Sequence, residues 1–180
     1  DNLGNLYSSS GRIHKSIDGG LTWEQLTVGT LTGIYINELN HIIALSNYAG
    51  GLIVLKSTDF GISWDWVVTY PDSYEITYGI TEDFERSIYY SYKDNYFNYT
   101  RVAKVDTSYN FSTILSGVIT ADLFNYEGNI YLATLGNGIY KSSDYGLTLN
   151  QINNGLNSYH VKQILFSPEV FICLTGDGIY

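Results

Sequence analysis

One eight-residue stretch recurs along this chain. Residues 16–23 read Ser-Ile-Asp-Gly-Gly-Leu-Thr-Trp, residues 57–64 Ser-Thr-Asp-Phe-Gly-Ile-Ser-Trp, and residues 142–149 Ser-Ser-Asp-Tyr-Gly-Leu-Thr-Leu. A fourth, weaker copy keeps Asp106 and Phe111 at the same five-residue spacing, with Ser108 in place of the glycine and Asn110 in place of Thr or Ser. The aspartates Asp18, Asp59, Asp106 and Asp144 stand 41, 47 and 38 residues apart. Periods of that length mark repeat architectures, and one step is enough chain for one four-stranded antiparallel sheet. A chain so punctuated is restricted to stacked or radially repeated units.

Each residue of the octapeptide has a physical task. The Ser hydroxyl (Ser16, Ser57, Ser142) and the Asp carboxylate can bond backbone N–H groups just ahead and close a tight turn. Gly20, Gly61 and Gly146 follow the Asp by two residues and accept a positive φ. Thr22, Ser63 and Thr148 return the chain to an extended course, and Trp23, Trp64 or Leu149 opens the next strand, where an aromatic buries a large apolar face beneath the turn. The reading is a rigid hairpin corner. A calcium loop supplies several oxygens at alternate positions, whereas each copy here offers one acid, so no metal is expected.

The pattern Ser-x-Asp-x-Gly-x-Thr-Trp resembles the Asp-box, or BNR repeat, of sialidases, xyloglucanases, sortilin-type receptors and photosystem assembly factors. The resemblance implies an all-β fold, a β-propeller of four-stranded antiparallel blades with each octapeptide between the third and fourth strands. It leaves activity open, because one fold hosts many functions.

Between the octapeptides, short runs rich in Val, Ile, Tyr and Thr alternate with Gly, Asn, Asp and Ser clusters, and helical periodicity is nearly absent. Runs such as Ile42-Ile43-Ala44-Leu45 and Leu52-Ile53-Val54-Leu55 are apolar on both faces, as strands sandwiched between neighbouring sheets must be. The chain reads as a single propeller segment over 1–180, with blades at about 1–29, 30–72, 73–116 and 117–156 and a partial one at 157–180. That is about four and a half blades. The end, Gly176-Asp177-Gly178-Ile179-Tyr180, parallels Gly136-Asn137-Gly138-Ile139-Tyr140 just before an octapeptide. The expectation is a segment of a ring of roughly six to eight blades, with an open arc pairing with a second copy as the competing reading.

Composition narrows partners. Eighteen acids against nine Lys plus Arg give a net charge of -9, and no basic stripe is present, so nucleic acid and anionic membrane surfaces are poor partners. No apolar run is long enough to insert into a bilayer. The lone Cys173, in Phe171-Ile172-Cys173-Leu174, reads as a small buried hydrophobe. Eighteen tyrosines with many Asn, Ser and Thr fit a secreted, periplasmic or virion-surface β protein. Asn98-Tyr99-Thr100 and Asn110-Phe111-Ser112 fit the N-glycosylation pattern, which recurs by chance in Asn-rich chains.

In propellers of the type this resembles, ligands meet the face opposite the octapeptides. That placement makes Tyr48, Asp72, Tyr74, Asp94, Tyr96, Asn154, Tyr159 and Asp177 the candidate ligand-binding residues. Tyrosines and acids on such a rim can stack on sugar rings and bond their hydroxyls; ordinary turn residues are the plainer reading. The resemblance to sialidases implies three converging arginines, but the only ones are Arg12, Arg86 and Arg101, the last two in one blade, and His14 stands where the family's proline would follow Arg12-Ile13. Two carboxylates across a glycosidic bond would serve hydrolysis, and sequence places no such pair. His14, His41 and His160 lie within or at the start of strands. No catalytic residue and no cofactor are assigned. The expected function is a non-catalytic, surface-exposed binding and scaffold propeller for a glycan or protein, with self-association if the chain is complete. Part of a xyloglucanase- or sialidase-like glycoside hydrolase is the alternative.

Overall fold

The computed structural model describes residues 1–9, 11–26, 31–48, 51–70, 74–94, 100–167 and 170–179. These form eighteen strands in five antiparallel sheets, in each of which consecutive strands are neighbours. The chain divides into two compact units, Asp1–Ile76 and Thr77–Tyr180.

The first unit holds two sheets. β1 (Leu6–Ser9), β2 (Ile13–Ser16) and β3 (Glu24–Gln25) make the first; β4 (Leu31–Ile36), β5 (Ile42–Tyr48), β6 (Gly51–Ser57) and β7 (Asp65–Tyr70) the second. Ile13, Leu31, Ile42 and Ala44 form its core, with Tyr7, Leu26, Leu55 and Trp64 packed against them. The doubly apolar runs of β5 and β6 are buried on both faces: Ile42, Ile43, Ala44 and Val54 are inaccessible to solvent.

The second unit holds three sheets. β8 (Tyr74–Glu82), β9 (Ile88–Asp94), β10 (Thr100–Val105) and β11 (Phe111–Val118) form the third sheet. β12 (Thr120–Tyr126), β13 (Asn129–Thr134), β14 (Gly138–Ser142) and β15 (Asn150–Gln151) form the fourth, and β16 (Val161–Phe166), β17 (Phe171–Thr175) and β18 (Gly178–Ile179) the fifth. One cluster, Tyr89, Val102, Leu123, Ile130 and Leu132, joins the third sheet to the fourth. Another, Ala133, Ile139, Val161, Ile164 and Cys173, joins the fourth to the fifth. Cys173 is buried, and burial pushes its thiol pKa up.

The count corrects the expectation of about four and a half blades. Residues 161–179 are a sheet of their own, because β16 pairs with β17 from Val161 to Phe166 and packs its apolar face on the fourth sheet. It has as many strands as the first sheet, so there are five sheets.

A strand glycine sets the spacing between two of them. Gly79 in β8 has φ +85, and a Cβ there would lie 2.7 Å from the backbone nitrogen of Leu123 in β12. Only glycine lets the two chains approach so closely.

Candidate functional site

Three octapeptides close on themselves with one hydrogen-bond pattern. Ser16, Ser57 and Ser142 end β2, β6 and β14 and are almost fully buried. Each donates its hydroxyl to Oδ1 of the following aspartate, at 2.7 Å for Ser16, 2.8 Å for Ser57 and 2.7 Å for Ser142. The same hydroxyl oxygen accepts the amide of Gly20, Gly61 or Gly146, each at 2.8 Å. Asp18 and Asp144 each accept a backbone N–H at 2.9 Å and a hydroxyl at 2.5 Å from Thr22 and Thr148. Asp59 takes the same two bonds from Ser63, at 2.9 and 2.6 Å. Bonds to the ionised form favour it, so the carboxyls of Asp18, Asp59 and Asp144 are held at a pKa of about 2, with the Thr or Ser hydroxyl the largest cause. These acids are committed to their own turns.

A second feature of the turn is not apparent from the sequence. The residue before the glycine is also left-handed, with φ 72 at Gly19, 61 at Phe60 and 57 at Tyr145. That conformation throws the ring of Phe60 or Tyr145 outward over a lysine of the preceding sheet. Lys15 Nζ lies 5.2 Å from the Phe60 ring centroid, and Lys104 Nζ lies 5.9 Å from that of Tyr145. A hint of it stands in Lys15-Ser16, Lys56-Ser57 and Lys141-Ser142, where a lysine precedes the octapeptide each time.

The opening aromatics differ from one another. Trp64 packs into the core of its unit, whereas Trp23 remains 44% exposed. Each indole N–H donates to the glycine carbonyl of its own turn at 3.1 Å. Trp64 lies over the first sheet, in the cluster that contains Ile13.

Asp106 stands apart. Its Oδ1 accepts the amides of Ser108 and Asn110, both at 2.9 Å, its Oδ2 accepts the Asn110 amide group, and Tyr109 carries the positive φ of 64. Similar turns lead into β1 and join β4 to β5 and β8 to β9. Asp1 accepts Leu3 and Asn5 with Gly4 left-handed, and Asn37 accepts Leu39 and His41 with Asn40 left-handed. Asp83 accepts Ser87 with Arg86 left-handed. Asp106 therefore opens a five-residue Asx turn ending at Asn110, with Phe111 the first residue of β11, rather than a degraded octapeptide.

Of the ligand candidates, Asp72 and Tyr96 lie outside the described residues, while Tyr48 ends β5, Tyr74 begins β8 and Asp94 ends β9. Asn154, Tyr159 and Asp177 fall together on one loop cluster of the second unit. The Tyr159 carbonyl accepts the amides of Gly136 and Gly138, both at 2.9 Å, and the His160 carbonyl accepts Gly176 at 2.9 Å. The loops on either side are built alike: Thr134 donates its hydroxyl to the Gly138 carbonyl at 2.7 Å, and Thr175 to Gly178 at 3.0 Å. The backbone is thus pinned while the Tyr159 side chain is 53% exposed and Asn154 and Asp177 face solvent.

Other buried acids serve packing. Asp122 accepts Leu123 and Ile164 amides and so ties β12 to β16; burial raises its pKa. Glu82 pairs with Arg86 at 3.0 Å. Asp83 accepts the buried Tyr89 hydroxyl at 2.7 Å; desolvation and that carboxylate push the phenol's pKa up. No group of three or more metal-ligating side chains occurs among the described residues.

Solved structures match nearly the whole chain. YCF48 from Cyanidioschyzon merolae superposes with a TM-score of 0.67 at 15% identity, over 97% of this chain and 64% of that one. The fold is a five-bladed β-propeller. YCF48 bound to D1 peptide matches at TM-score 0.64 and 16% identity, over 97% of this chain and 59% of that one. The GH74 enzyme of Niastella koreensis matches at TM-score 0.70 and 16% identity, over 97% of this chain and 32% of the enzyme. The propeller described here thus spans less than two thirds of each of these three chains. No family model and no curated protein sequence matches it.

Proposed function

We propose that this propeller is a surface-exposed, non-catalytic binding and scaffold module of the Asp-box superfamily. The observation that carries the reading is Tyr159: an exposed aromatic on a backbone pinned by two amides, flanked by the exposed Asn154 and Asp177. A flat apolar face with a polar tip, held on a rigid loop, suits a sugar ring or an extended peptide. The octapeptide carboxylates are occupied by their own turns and so serve the scaffold. A neighbour of the same fold carries a bound peptide, which favours a protein partner, whereas the glycoside hydrolase neighbour supports the competing reading.

The two separate in one experiment. Xyloglucan oligosaccharides, sialyllactose and the D1 peptide are titrated calorimetrically against the protein, and released reducing sugar is assayed in parallel. The expected result is saturable binding without turnover, weakened about tenfold by Tyr159→Ala, the loss of about 1.4 kcal/mol, with an unchanged melting midpoint. Sugar release that Asp177→Asn or Asp72→Asn abolishes would establish the hydrolase instead, and binding of none of the three probes would sink the reading.

A further inference from the structure

The corner of the third sheet is built differently from the octapeptide corners, and a groove opens beside it. Seven residues separate β2 from β3, β6 from β7 and β14 from β15, whereas five separate β10 from β11. Where the octapeptides bury Ser16, Ser57 and Ser142, the third sheet has Lys104, whose ammonium stays at the surface.

The third octapeptide seats on this sheet as the second does on the first. A Cβ on Gly146 would touch Tyr89 at 3.1 Å and Ile114 at 3.2 Å, and one on Gly61 would meet Leu26 Cδ1 at 2.5 Å. The residue after Gly146 is Leu147, which is 85% exposed. Between Leu147, the β8–β9 turn and the Asp106 turn lies an open groove of about 430 Å³. Its walls all belong to the second unit and fall between Glu85 and Leu147 in the chain.

The groove offers hydrogen-bond acceptors that the protein itself does not use. The exposed Glu85 carboxylate makes no hydrogen bond or ion pair with a described residue. Asp106 Oδ1 accepts two amides while Oδ2 accepts only the Asn110 side chain, so an acceptor position on Oδ2 stays open. The bonds from Asn110 hold the Asp106 carboxyl below its usual pKa, with the Lys104 charge the least of the causes. Ser87, in the same wall, is 3% exposed, and its hydroxyl bonds to no described residue. Lys104 also lines the groove, but its ammonium already donates to the Tyr145 carbonyl at 2.9 Å and stands 5.4 Å from the Tyr89 ring. The half-buried Phe111 and the exposed Leu147 supply the apolar part of the wall.

We propose that this groove takes an arginine side chain presented by a partner polypeptide. The guanidinium bridges Glu85 and Asp106 and gives a further N–H to the Ser87 hydroxyl, while the methylene stem lies along Phe111 and Leu147. A planar, donor-only fork serves several separate acceptors at once, which the point charge of a lysine ammonium does less well. The chain's net charge of -9 favours the approach of a basic partner.

The probe is an acetylated, amidated Gly-Arg-Gly peptide, titrated against the isotope-labelled protein with the amide resonances of Ser87, Ser108 and Asn110 followed by NMR. Saturable shifts at these three amides are expected. The same peptide with citrulline, which keeps the shape and loses the charge, should leave them in place, a comparison that needs no altered protein. The peptide with lysine should bind about fivefold more weakly. Glu85→Gln should weaken the arginine peptide about fivefold, whereas Glu127→Gln, at an exposed acid of the same unit outside the groove, should leave it unchanged. Absence of saturable shifts, equal shifts with citrulline, or a lysine peptide that binds as tightly overturns the inference. So does an equal loss in both glutamine variants, since net charge alone would then account for the attraction. Shifts of the same amides with protein concentration alone would make a second copy the occupant and overturn it too.

Discussion

The carboxylates of the octapeptides act on their own turns, and acid exposes that role. Asp18, Asp59 and Asp144 have folded-state pKa values of about 2, below the ordinary 3.8, because hydroxyl and amide donors stabilise the anion. A depressed pKa contributes stability that is present above the unfolded value and lost as pH falls through the folded one. The melting temperature should therefore fall between about pH 4 and pH 2. Asp144→Asn should melt lower at pH 7 and show a shallower fall in that window, read by circular dichroism at a series of pH values. Tyr89→Phe is the buried counterpart. It strips Asp83 Oδ2 of the hydroxyl 2.7 Å away, and should cost about 1–2 kcal/mol in urea unfolding at pH 7. At this scale the sequence was clear where one residue type does one job: Asp and Gly spacing located three turns. It misled at Asp106, because an Asp followed five residues later by an aromatic also describes an Asx turn leading into a strand. Which of the two forms depends on the buried serine two residues before the aspartate, and Lys104 occupies that position.

Strands were legible as elements and their partners partly so. The apolar runs 42–45 and 52–55 fall inside β5 and β6, since turn chemistry punctuates both ends of each strand. The fifth sheet reads as partial because residues 157–180 contain no octapeptide, yet its three strands equal the first sheet's in number. Close approaches between sheets leave even less trace in sequence. Gly79 looks like any loop glycine, yet it has φ +85 and abuts the backbone of β12. Gly79→Ala should therefore destabilise the protein by about 2–3 kcal/mol through overpacking and backbone strain. Gly117→Ala has φ +82 but nothing within 4 Å of its Cβ, and should cost only about 1 kcal/mol. Parallel urea titrations of the two variants separate space from conformation. The candidate rim was legible only as a set of loops; that Tyr159 is pinned through its carbonyl depends on glycines some twenty residues away, which spacing does not reveal.

For the whole molecule, net charge outweighs any single contact. Eighteen acids against nine Lys plus Arg leave -9 at pH 7, with a sequence pI near 4.5. Self-repulsion on this scale weakens the compact state and is screened by salt. The melting midpoint at pH 7 should rise from 10 mM to about 300 mM sodium chloride, where the Debye length shrinks from about 30 Å to well under 10 Å. Near pH 4.5 the dependence should vanish, and its persistence there would mean that salt acts on something other than net charge. The octapeptide bears on the molecule in another way. Its hydrogen bonds are internal to eight residues, while its aromatic and glycine are shaped for the sheet before it. Copying one stretch of about forty residues in a gene therefore duplicates both halves of an interface at once, a finished fastening and the surface that receives the next. Descent by tandem duplication then needs no new contact to be invented at each step, and blade number can drift between lineages while the corner that joins the blades stays the same.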